Sequence, residues 1–521
     1  MSRHRAPAED GGLLIDPSIQ QMELKPLATS PARIAGYTLP EFRRLAAAEV
    51  AETAKRYQSS NGEPVPAVTD RLVLAGHQPE FFHPGVWFKN FVLHQVARRH
   101  GVTPINLVVD NDLVKSSAIR SPYFRDDPVS ARVMWLAYDD HKGDQPYEEY
   151  RVGDRALFHL LPYRLEKLAS KWLRQPLAKT AWPLIEGHLD RGATFAEAVS
   201  RTRRELERGW GITNLELPVS RLAQTRAFAL FVHSLLTDLP RFVDCYDSAI
   251  RSYRIANKLR SRNHPAPELI ERAESLEAPL WAWRVDATHR QRLFARRVDG
   301  EIAISIQERE VERLPSDANA FADRWVGFVG DAWKVRPRAL MLTLFARIAL
   351  AELFIHGIGG AKYDEVTDEI IRRYFKIEPP RYAVVTATMR LPLPRCPATV
   401  NDLRSLHREL RDLEWKPEIF PDTHSRFPQL VQRKRELIAG EPKEHSARRT
   451  WFRGLQDVTR AMRPAVKGAM ASRSAEEERL RRMINANEIL TSREFAWVLF
   501  SESQIRELTD ACRIGVAPIR S

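Results

Sequence analysis

Residues 71–112 read RLVLAGHQPEFFHPGVWFKNFVLHQVARRHGVTPINLVVDND, and this stretch decides the fold class. Residues 71–75 are a short apolar run that predicts a β-strand, and residues 76–79 predict a turn. Residues 86–100 have the pattern of an amphipathic helix that ends at a glycine. Residues 103–109 predict a second strand. Strand, turn, helix and strand make a βαβ unit, from which parallel sheets are built.

A second apolar unit lies at residues 336–376. We interpret residues 339–355 as a buried helix. The glycines within residues 357–360 break this helix, and residues 364–375 resume helical spacing. Residues 381–394, RYAVVTATMRLPLP, predict a strand that leaves the core.

Other segments support a sheet that carries a large helical insertion. Residues 131–138 predict a strand, and residues 291–306 predict a hairpin with an Asp-Gly turn. Residues 147–275 are mainly helical in pattern. Trp281 and Trp283 are interpreted as core residues rather than as stacking platforms for a ligand.

These patterns predict an α/β protein with a parallel sheet, helical insertions and a helical appendage. Residues 1–70 form a leader and one helix, at residues 40–57. Residues 71–398 form the α/β core, with the helical insertion at about 147–275. Residues 399–490 form charged helices whose apolar residues lie on one face, which favours a hairpin or a coiled coil. Residues 491–521 form a C-terminal helix that returns to the core.

The composition is that of an ordinary globular protein. The chain has 521 residues, of which 44% are hydrophobic and 28% charged, and this excludes a mostly disordered chain. The sequence has no run of about 18 apolar residues, so we expect no membrane span, and the first residues lack the apolar stretch of a secretory signal. The three cysteines, Cys245, Cys396 and Cys512, lie far apart and fit a reducing compartment. We therefore expect a cytoplasmic protein without disulfides.

The formal net charge of +13 raises the alternative of nucleic-acid binding. Basic and acidic residues are interleaved, however, as in RSLHRELRDLEWK, and the sequence has no zinc-finger spacing, RNP-like motif or basic tail. A basic surface favours anionic small molecules as well as polynucleotides. Nucleic-acid binding is therefore the weakest of our hypotheses, and it predicts that Lys and Arg gather on one face of the helices in residues 399–490.

The first candidate site follows the strand at residues 71–75. Ligands of open parallel sheets bind outside the carboxyl ends of the strands, and this turn lies at such an end and opens a helix. An imidazole, an amide, an ammonium group and a glycine that lets a ligand approach the backbone cluster here: Gly76, His77, Gln78, His83 and Lys89. The alternative is a proline-bearing turn whose histidines only cap the strand and the helix.

The second candidate site is Asp110, Asn111 and Asp112, at the end of the next strand. Two carboxylates around an amide can bind Mg²⁺, orient a sugar hydroxyl or hold a cationic amine. The alternative is an ordinary strand-to-loop turn, because Asp and Asn are common turn formers.

The third candidate site is the glycine-rich segment at residues 356–364, which we expect to close the other wall of the cleft. Its glycines permit positive φ and close approach, and the following helix N-terminus can bind an anion. The selected residues are His356, Gly357, Gly359, Gly360, Lys362, Tyr363 and Asp364. The alternative is a glycine break between two packed helices.

Familiar catalytic and cofactor motifs are absent from the sequence. It contains no GxGxxG fingerprint and no P-loop, so use of a nucleotide stays open and no phosphate cradle is assigned. It also contains no HExxH or GxSxG motif, which argues against a histidine-built zinc site and a serine hydrolase. No metal site is evident.

Two of the candidate segments, in this order, resemble the BshC family, which adds cysteine in bacillithiol biosynthesis. That family has a strand followed by a TGQQ turn and a Gly-Pro pair entering a helix, and residues 75–78 (AGHQ) with Pro84 and Gly85 are similar. The family's next strand ends in an EDHD-type element, which residues 109–112 (VDND) resemble. The family then has a long apolar helix, a GGPGE-type turn, a helix and a proline-bearing exit, similar to residues 336–358, 357–360, 363–375 and 379–380.

The resemblance implies a Rossmann-like core related to nucleotidyltransferases, with a helical coiled coil at residues 399–490. It also implies a ligase-type reaction that joins cysteine to the glucosamine of a glucosaminyl-malate acceptor. Four positions depart from the family's pattern. His77 replaces Gln, Asn111 replaces His, and Gly359 and Ala361 stand where the family has Pro and Glu. A changed polar set on a retained fold points to a different or altered substrate.

The leading hypothesis is a BshC-like enzyme that acts on a small polar or anionic substrate such as an amino sugar. Asp110 or Asp112 would orient or deprotonate the attacking amine. His77 would be the general acid and base, because an ordinary imidazole titrates near neutral pH. His83 and Lys89 would hold an anionic group.

The second hypothesis is a non-catalytic carbohydrate-binding or scaffold protein on the same fold, with the C-terminal helices joining two chains in a homodimer. A crowded cleft with His77 buried would favour this hypothesis. An open cleft lined by His77, Asp110 and Lys362 would favour an enzyme.

Overall fold

A computed structural model describes residues 4–24, 32–141 and 143–514. Parts of the predicted leader and of the C-terminal segment, residues 1–3, 25–31 and 515–521, lie outside these ranges. The chain divides into two compact units. One unit comprises Met1–Arg120, Trp135–Leu391 and Arg493–Ser521, and the other comprises Ser121–Met134 and Pro392–Ser492.

The strands are β1 Leu13–Asp16, β2 Arg33–Ile34, β3 Tyr37–Thr38, β4 Leu72–His77, β5 Thr103–Val108, β6 Ala118–Tyr123, β7 Arg132–Ala137, β8 Leu215–Pro218, β9 Leu276–Arg284, β10 Gln291–Val298, β11 Glu301–Ile306, β12 Arg309–Pro315, β13 Trp333–Pro337, β14 Ala351–His356 and β15 Tyr382–Ala387.

The helices are α1 Leu39–Ser60, α2 Pro84–His100, α3 Arg155–His159, α4 Leu161–Ala169, α5 Ala178–Asp190, α6 Phe195–Gly209, α7 Val219–Leu222, α8 Arg226–Thr237, α9 Leu239–Ala256, α10 Ala318–Asp331, α11 Ala339–Phe345, α12 Ile358–Ile370, α13 Val400–Trp415, α14 Pro421–Arg426, α15 Pro428–Ala439, α16 His445–Leu490 and α17 Glu502–Ile514. No described helix is long and apolar enough to cross a membrane.

The larger unit is built on a mixed six-stranded sheet in the order β1-β15-β14-β4-β5-β8. The pairs β15-β14, β14-β4, β4-β5 and β5-β8 are parallel, and β1 runs antiparallel along β15. The predicted βαβ unit is confirmed as β4, α2 and β5. Because β4 and β5 are central, their residues are almost continuously apolar and buried, as both faces of a parallel sheet require.

The connections reverse direction between β14 and β4. From β4 the chain passes through α2 to β5 on one side, and from β14 it passes through α12 to β15 on the other. Neighbouring strands whose helices leave in opposite directions create a crevice at their carboxyl ends, where ligands of open α/β sheets bind. The two glycine-containing segments of the sequence, after β4 and after β14, both lie at this switch point.

The expectation of a buried helix over residues 339–355 is wrong in its second half. The helix α11 ends at Phe345, a wide π-helical turn spans Ala346–Leu350, and the central strand β14 follows. A buried helix and a buried parallel strand are both continuous apolar runs, so periodicity does not separate them. The glycines that follow are also placed differently. Gly357 caps α12 with φ −82°, and the helix begins at Ile358 rather than at residue 364.

A second, antiparallel sheet has the order β12-β11-β10-β9-β13. It contains the predicted hairpin of residues 291–306 as β10 and β11. The strand expected at residues 131–138 forms as β7 but belongs to neither large sheet. Within the region predicted to be helical, residues 147–275, the edge strand β8 was not foreseen. Trp283 is fully buried as expected, whereas Trp281 is half-buried and lines a cavity.

The smaller unit is dominated by α16, a helix of 46 residues against which α13 and α15 pack. Many of its basic side chains form ion pairs with neighbouring carboxylates. These pairs include Lys434–Glu418, Arg463–Glu414, Arg473–Glu409 and Arg481–Glu477. Interleaved charge along these helices therefore produces local pairing.

Candidate functional site

A cavity of about 660 Å³ opens at the carboxyl ends of β4 and β14, at the switch point of the sheet. Its volume is that of a small-molecule binding site. Most of the candidate residues line it although they come from separate parts of the chain. They are Gly76, His77, Gln78, His83, Lys89, Asn111, Asp112, His356, Gly357, Gly359, Gly360, Tyr363 and Asp364. Asp110 and Lys362 do not line this cavity.

His77 is the last residue of β4 and not part of the turn that follows. Its Nδ1–H donates to the carbonyl oxygen of Gln78 at 3.1 Å, and its ring meets Phe82 edge to face. Burial, and then the nearby charge of Lys89, hold the pKa of His77 well below its usual value of 6.5. The imidazole is therefore neutral at physiological pH, which corrects the premise that it titrates there as a general acid and base.

Lys89 lies beneath the end of β4 and is only 4% exposed. Its Nζ donates to the carbonyl oxygen of Gly76 at 2.7 Å. Burial, and then the charge of Arg203, lower the pKa of Lys89 to about 8. Among the described residues no carboxylate lies within ion-pair distance of this nitrogen, so a buried cation borders the cavity without a counter-ion.

The N-terminus of α2 forms one wall of the cavity. His83 caps the helix, and its Nδ1 accepts from the backbone N–H of Gly85 at 3.1 Å. Burial, and then Arg493 and Lys89, lower the pKa of His83 to about 3, so it is a neutral cap and not the cation expected to hold an anion. Gly85 is required here, because a Cβ would overlap the carbonyl oxygen of Ala387.

Arg493 supplies a positive charge that sequence reasoning missed. Its guanidinium lines the cavity and donates to the hydroxyls of Thr386 and Thr388 at 3.0 and 3.2 Å. It lies 3.2 Å from Nε2 of His83. Arg493 begins the segment that returns to the core after the long helix α16, and no local motif marks it. Only the fold brings it to the end of β15.

The segment after β5 sends its side chains to two sides. Asp110 points away from the cavity, and its carboxylate accepts from the backbone N–H and the hydroxyl of Ser220 at 2.9 and 2.5 Å. Asp110 therefore does not lie beside His77, and the expectation that the two act together in one cavity is wrong. Residues 110–112 form a turn after β5, and the sequence does not say which side of a turn each side chain faces.

Asn111 and Asp112 do face the cavity. The Asp112 carboxylate accepts from the side-chain amide of Gln78 at 3.0 Å and lies 3.5 Å from Arg290. The amide nitrogen of Asn111 donates to the carbonyl oxygen of Pro337 at 2.8 Å, while its buried oxygen has no partner among the described residues. Gln78 and Arg290 therefore hold Asp112 in place. The side-chain oxygen of Asn111 is a hydrogen-bond acceptor without a partner among the described residues, on a residue that lines the cavity.

The N-terminus of α12 forms the opposite wall and carries a histidine–aspartate pair. Nε2 of His356 lies 2.5 Å from the carboxylate of Asp364, which is also 2.9 Å from the guanidinium of Arg347. Although burial opposes it, the neighbouring His356 and Arg347 lower the pKa of Asp364 below its usual value. Asp364 is therefore ionised beside the His356 ring.

None of the three glycines of this segment has a positive φ, and only Gly360 serves a close approach. A Cβ at Gly360 would lie 2.8 Å from Nδ1 of His356, so glycine leaves that nitrogen uncovered. Gly357 is the cap residue and Gly359 lies in the first turn of α12. Tyr363 is about one-third exposed at the rim, and Lys362 is exposed to solvent.

The antiparallel sheet and the residues that follow β13 form a third wall of the cavity. The sequence analysis did not select the arginines of this wall. Trp281 is flanked by the guanidinium groups of Arg290 and Arg338, at 4.8 and 4.5 Å from the ring centre. Arg338 is paired with the buried carboxylate of Glu277. Both guanidinium groups lie over the ring of Trp281 as cation–π contacts. These residues lie in a region without motif spacing, so only the topology could identify them.

Among the described residues, no three His, Cys, Asp or Glu side chains are arranged to bind a metal ion. The cavity instead combines cations with polar acceptors. Lys89, Arg290, Arg338 and Arg493 line it, against the carboxylates of Asp112 and Asp364. Two helix N-termini add positive potential at the same place. The arrangement is suited to a small anionic molecule that also carries hydroxyl or amine groups.

No protein-family model matches the sequence, and a search of curated proteins gave no significant match.

Proposed function

We propose that the chain is an enzyme whose switch-point cavity binds a small anionic substrate. Lys89 is the observation that carries this proposal. A buried cation without a counter-ion costs free energy, and this one lies beside the N-termini of α2 and α12, with Gly357 lacking a side chain next to it. A carboxylate or phosphate of the substrate would supply the missing negative charge.

We further propose a BshC-like reaction, in which the amine of an amino-sugar acceptor attacks the carboxyl carbon of an amino acid. The C–N bond of an amide forms, a C–O bond of the carboxyl group breaks, and the oxygen leaves as water or, where a nucleoside triphosphate first activates the carboxyl group, with the phosphate-bearing group. The resemblance rests on segments after β4, β5 and β14, and all three border one cavity in the order that the family pattern implies. On this proposal the six-stranded sheet is a Rossmann-like, nucleotidyltransferase-type core and the protein acts in the cytoplasm. The departures at His77 and Asn111 favour an acceptor that differs from the family's.

His356 is the best-placed general base for this reaction. Since Nε2 lies 2.5 Å from the Asp364 carboxylate, we assign the ring proton to Nε2, which leaves Nδ1 with the lone pair that can take a proton from the attacking amine. Asp364 would stabilise the imidazolium that forms. Asp112, oriented by Gln78, could hold the amine, while Lys89 neutralises the substrate's acid group. His77 remains a neutral hydrogen-bonding group in this scheme.

A turnover assay tests the reaction. The purified protein is incubated with cysteine and glucosaminyl-malate, with and without ATP, and products are followed by mass spectrometry. We expect a condensed product and expect His356→Gln to lower the rate by about 10²–10⁴-fold with little change in substrate affinity. His407→Gln, in the smaller unit, is the matched control. Equal turnover by His356→Gln and the wild type would contradict the assignment of the base.

A non-catalytic carbohydrate-binding protein is the second candidate function. It is favoured by the depressed pKa of His77 and by the position of Asp110 outside the cavity, since both lack the catalytic roles first expected for them. This candidate predicts sugar binding in calorimetry with no product in the turnover assay. A product whose formation depends on His356 would contradict it.

We also propose that the helices of the smaller unit pair two chains in a homodimer. Large apolar side chains are exposed on these helices and their connections: Val400, Trp415, Ile419, Ile438 and Phe452. Exposed apolar surface of this kind is typical of interaction faces. Light scattering of the full chain should give twice the chain mass, and Phe452→Glu with Ile438→Glu should halve it. A monomer at all concentrations would contradict this proposal.

A further inference from the structure

A second cavity, of about 210 Å³, lies at the carboxyl ends of β5 and β8. It is distinct from the first, and the segment of residues 108–112 borders both. Val108 and Asp110 face the second cavity, while Asn111 and Asp112 face the first. The side chains that matter for its chemistry are Tyr57, Asp110, Glu148, Ser220, Lys334 and Arg336.

Asp110 is the unneutralised charge in this cavity. It is 5% exposed, and among the described residues no Lys, Arg or His nitrogen lies within ion-pair distance of its carboxylate. Ser220 donates two hydrogen bonds to it. A carboxylate offers about four acceptor positions, so part of its capacity is free on the cavity side.

The other charged groups around the cavity are already paired or lie at its edge. Glu148 forms a two-bond ion pair with Arg336 at 2.8 and 2.9 Å, and Lys334 is paired with Glu149. Glu197 accepts from the backbone N–H of Thr194 at the start of α6. Arg221 is exposed at the rim. Apart from Glu197 at the start of α6 and Arg221 at the rim, these charges cancel in pairs, and Asp110 is the carboxylate without a paired cation in the interior of the cavity.

Tyr57 is a second and independent pointer to a ligand. It lines the cavity, is only 8% exposed, and has no hydrogen-bond partner for its hydroxyl among the described residues. The hydroxyl oxygen is not among the fully buried, unpaired polar atoms of the described residues, so it is accessible from the cavity. Here a phenol oxygen and a carboxylate share one small cavity and lack the group that would bridge them.

We propose that this cavity binds a small ligand through a primary ammonium group, held by Asp110 and Tyr57. An ammonium group has three donors and a positive charge, which match a carboxylate and a phenol oxygen. The cavity holds the volume of roughly seven water molecules, enough for a short amine or a small amino acid. The inference does not rest on the proposed function of the first cavity.

The titration of Asp110 predicts how the binding of an ammonium group depends on pH. Burial, and then the negative charge of Glu148, raise the pKa of Asp110 to about 7. Only the ionised form attracts an ammonium group, so binding below that pH must release a proton. The affinity should rise between pH 6 and 8 and then level off.

Calorimetry on the full chain tests the site directly. The probes are ethanolamine and L-alanine, with ethylene glycol and propionate as matched compounds without the ammonium group. We expect the ammonium compounds to bind, with proton release at pH 6 that is seen as a dependence of the heat on the buffer. Asp110→Asn should weaken binding by about 10- to 100-fold, and Tyr57→Phe should weaken it less. Asp190→Asn, the same change at an exposed carboxylate that lines neither cavity, should leave the affinity unchanged.

The Arg221→Gln variant distinguishes the two possible ligands, an amino acid and a simple amine. If alanine binds more tightly than ethanolamine and loses that advantage in Arg221→Gln, the ligand is an amino acid. Equal affinities identify a simple amine. No heat from either compound at tens of millimolar, equal binding of the uncharged probes, or unchanged affinity in a folded Asp110→Asn variant would overturn the proposal. Tyr57→Phe removes a single oxygen and serves as the second test if Asp110→Asn does not fold.

Discussion

Gly85 is the second residue of α2, and its position leaves no room for a side chain. A Cβ there would overlap the carbonyl oxygen of Ala387 and press on the ring of His83, and both neighbours are fixed by the sheet and the helix cap. We expect Gly85→Ala to destabilise the protein by about 1–3 kcal/mol. Gly357→Ala is the matched control, because its Cβ would meet only the Lys89 side chain at 3.9 Å. Urea denaturation measures both, and equal midpoints would contradict this account.

Asp110 should make stability depend on pH in a defined direction. With a folded pKa of about 7 against an ordinary 3.8, the folded state binds more protons between these values. Stability therefore falls as pH rises from about 4 to 7. Relative to Asp110→Asn, the wild type should lose up to about 2–4 kcal/mol across this interval. Urea unfolding of both proteins at pH 5 and pH 8 measures the difference, and a constant difference would refute the prediction.

At the scale of elements, the sequence predicts β4, α2 and β5 well and β14 poorly. The first unit has a glycine at the end of its helix and two short apolar runs, so each element has visible limits. Residues 339–355 form one mainly apolar run that contains a helix, a wide turn and a strand. No glycine or proline marks where one element ends and the next begins. The strand β8 lies within a region whose sequence pattern is mainly helical. Its four residues are too few to show the two-residue periodicity of a strand.

Residues of the candidate site were likewise predictable only where a local sequence feature marks them. The motif residues after β4 and β14 could be chosen because polar and glycine residues interrupt apolar strands. Arg290, Arg338 and Arg493 could not be chosen, since each reaches the cavity through long-range topology. Asp110 and Asp112 could be selected as a pair, but the side that each faces depends on local backbone geometry at the end of β5.

The junction of β14 and α12 depends on a buried charge network. Arg347 is 1% exposed and lies 2.9 and 2.7 Å from the carboxylates of Asp364 and Asp368. Arg347→Met would leave two acids without their cation, and we expect a loss of about 3–5 kcal/mol. Arg372→Met removes an exposed arginine from the π-helical turn Ile371–Phe375, which follows α12, and should cost less than about 0.5 kcal/mol. Thermal unfolding compares them, and similar losses would contradict the role of the network.

At the scale of the molecule, the larger unit places helix N-termini, a lysine without a counter-ion and a histidine–aspartate pair around one crevice. The smaller unit contributes no described residue to the lining of that cavity. Binding and turnover are therefore expected to depend on the larger unit, and association between chains on the smaller. Variants in one unit should leave the other property unchanged.

The central claim is that the switch-point cavity binds an anion through Lys89. Calorimetric titration of the full chain with succinate and with inorganic phosphate, with glycerol as the neutral control, tests it most directly. Lys89 has a pKa of about 8, so it is charged below that pH and loses its charge above it. Anion affinity should therefore be highest below pH 8 and fall as pH rises to 9.5. Lys89→Met should bind at least about tenfold more weakly and show a much smaller dependence on pH. Equal affinity of the wild type and Lys89→Met across this range would contradict the account.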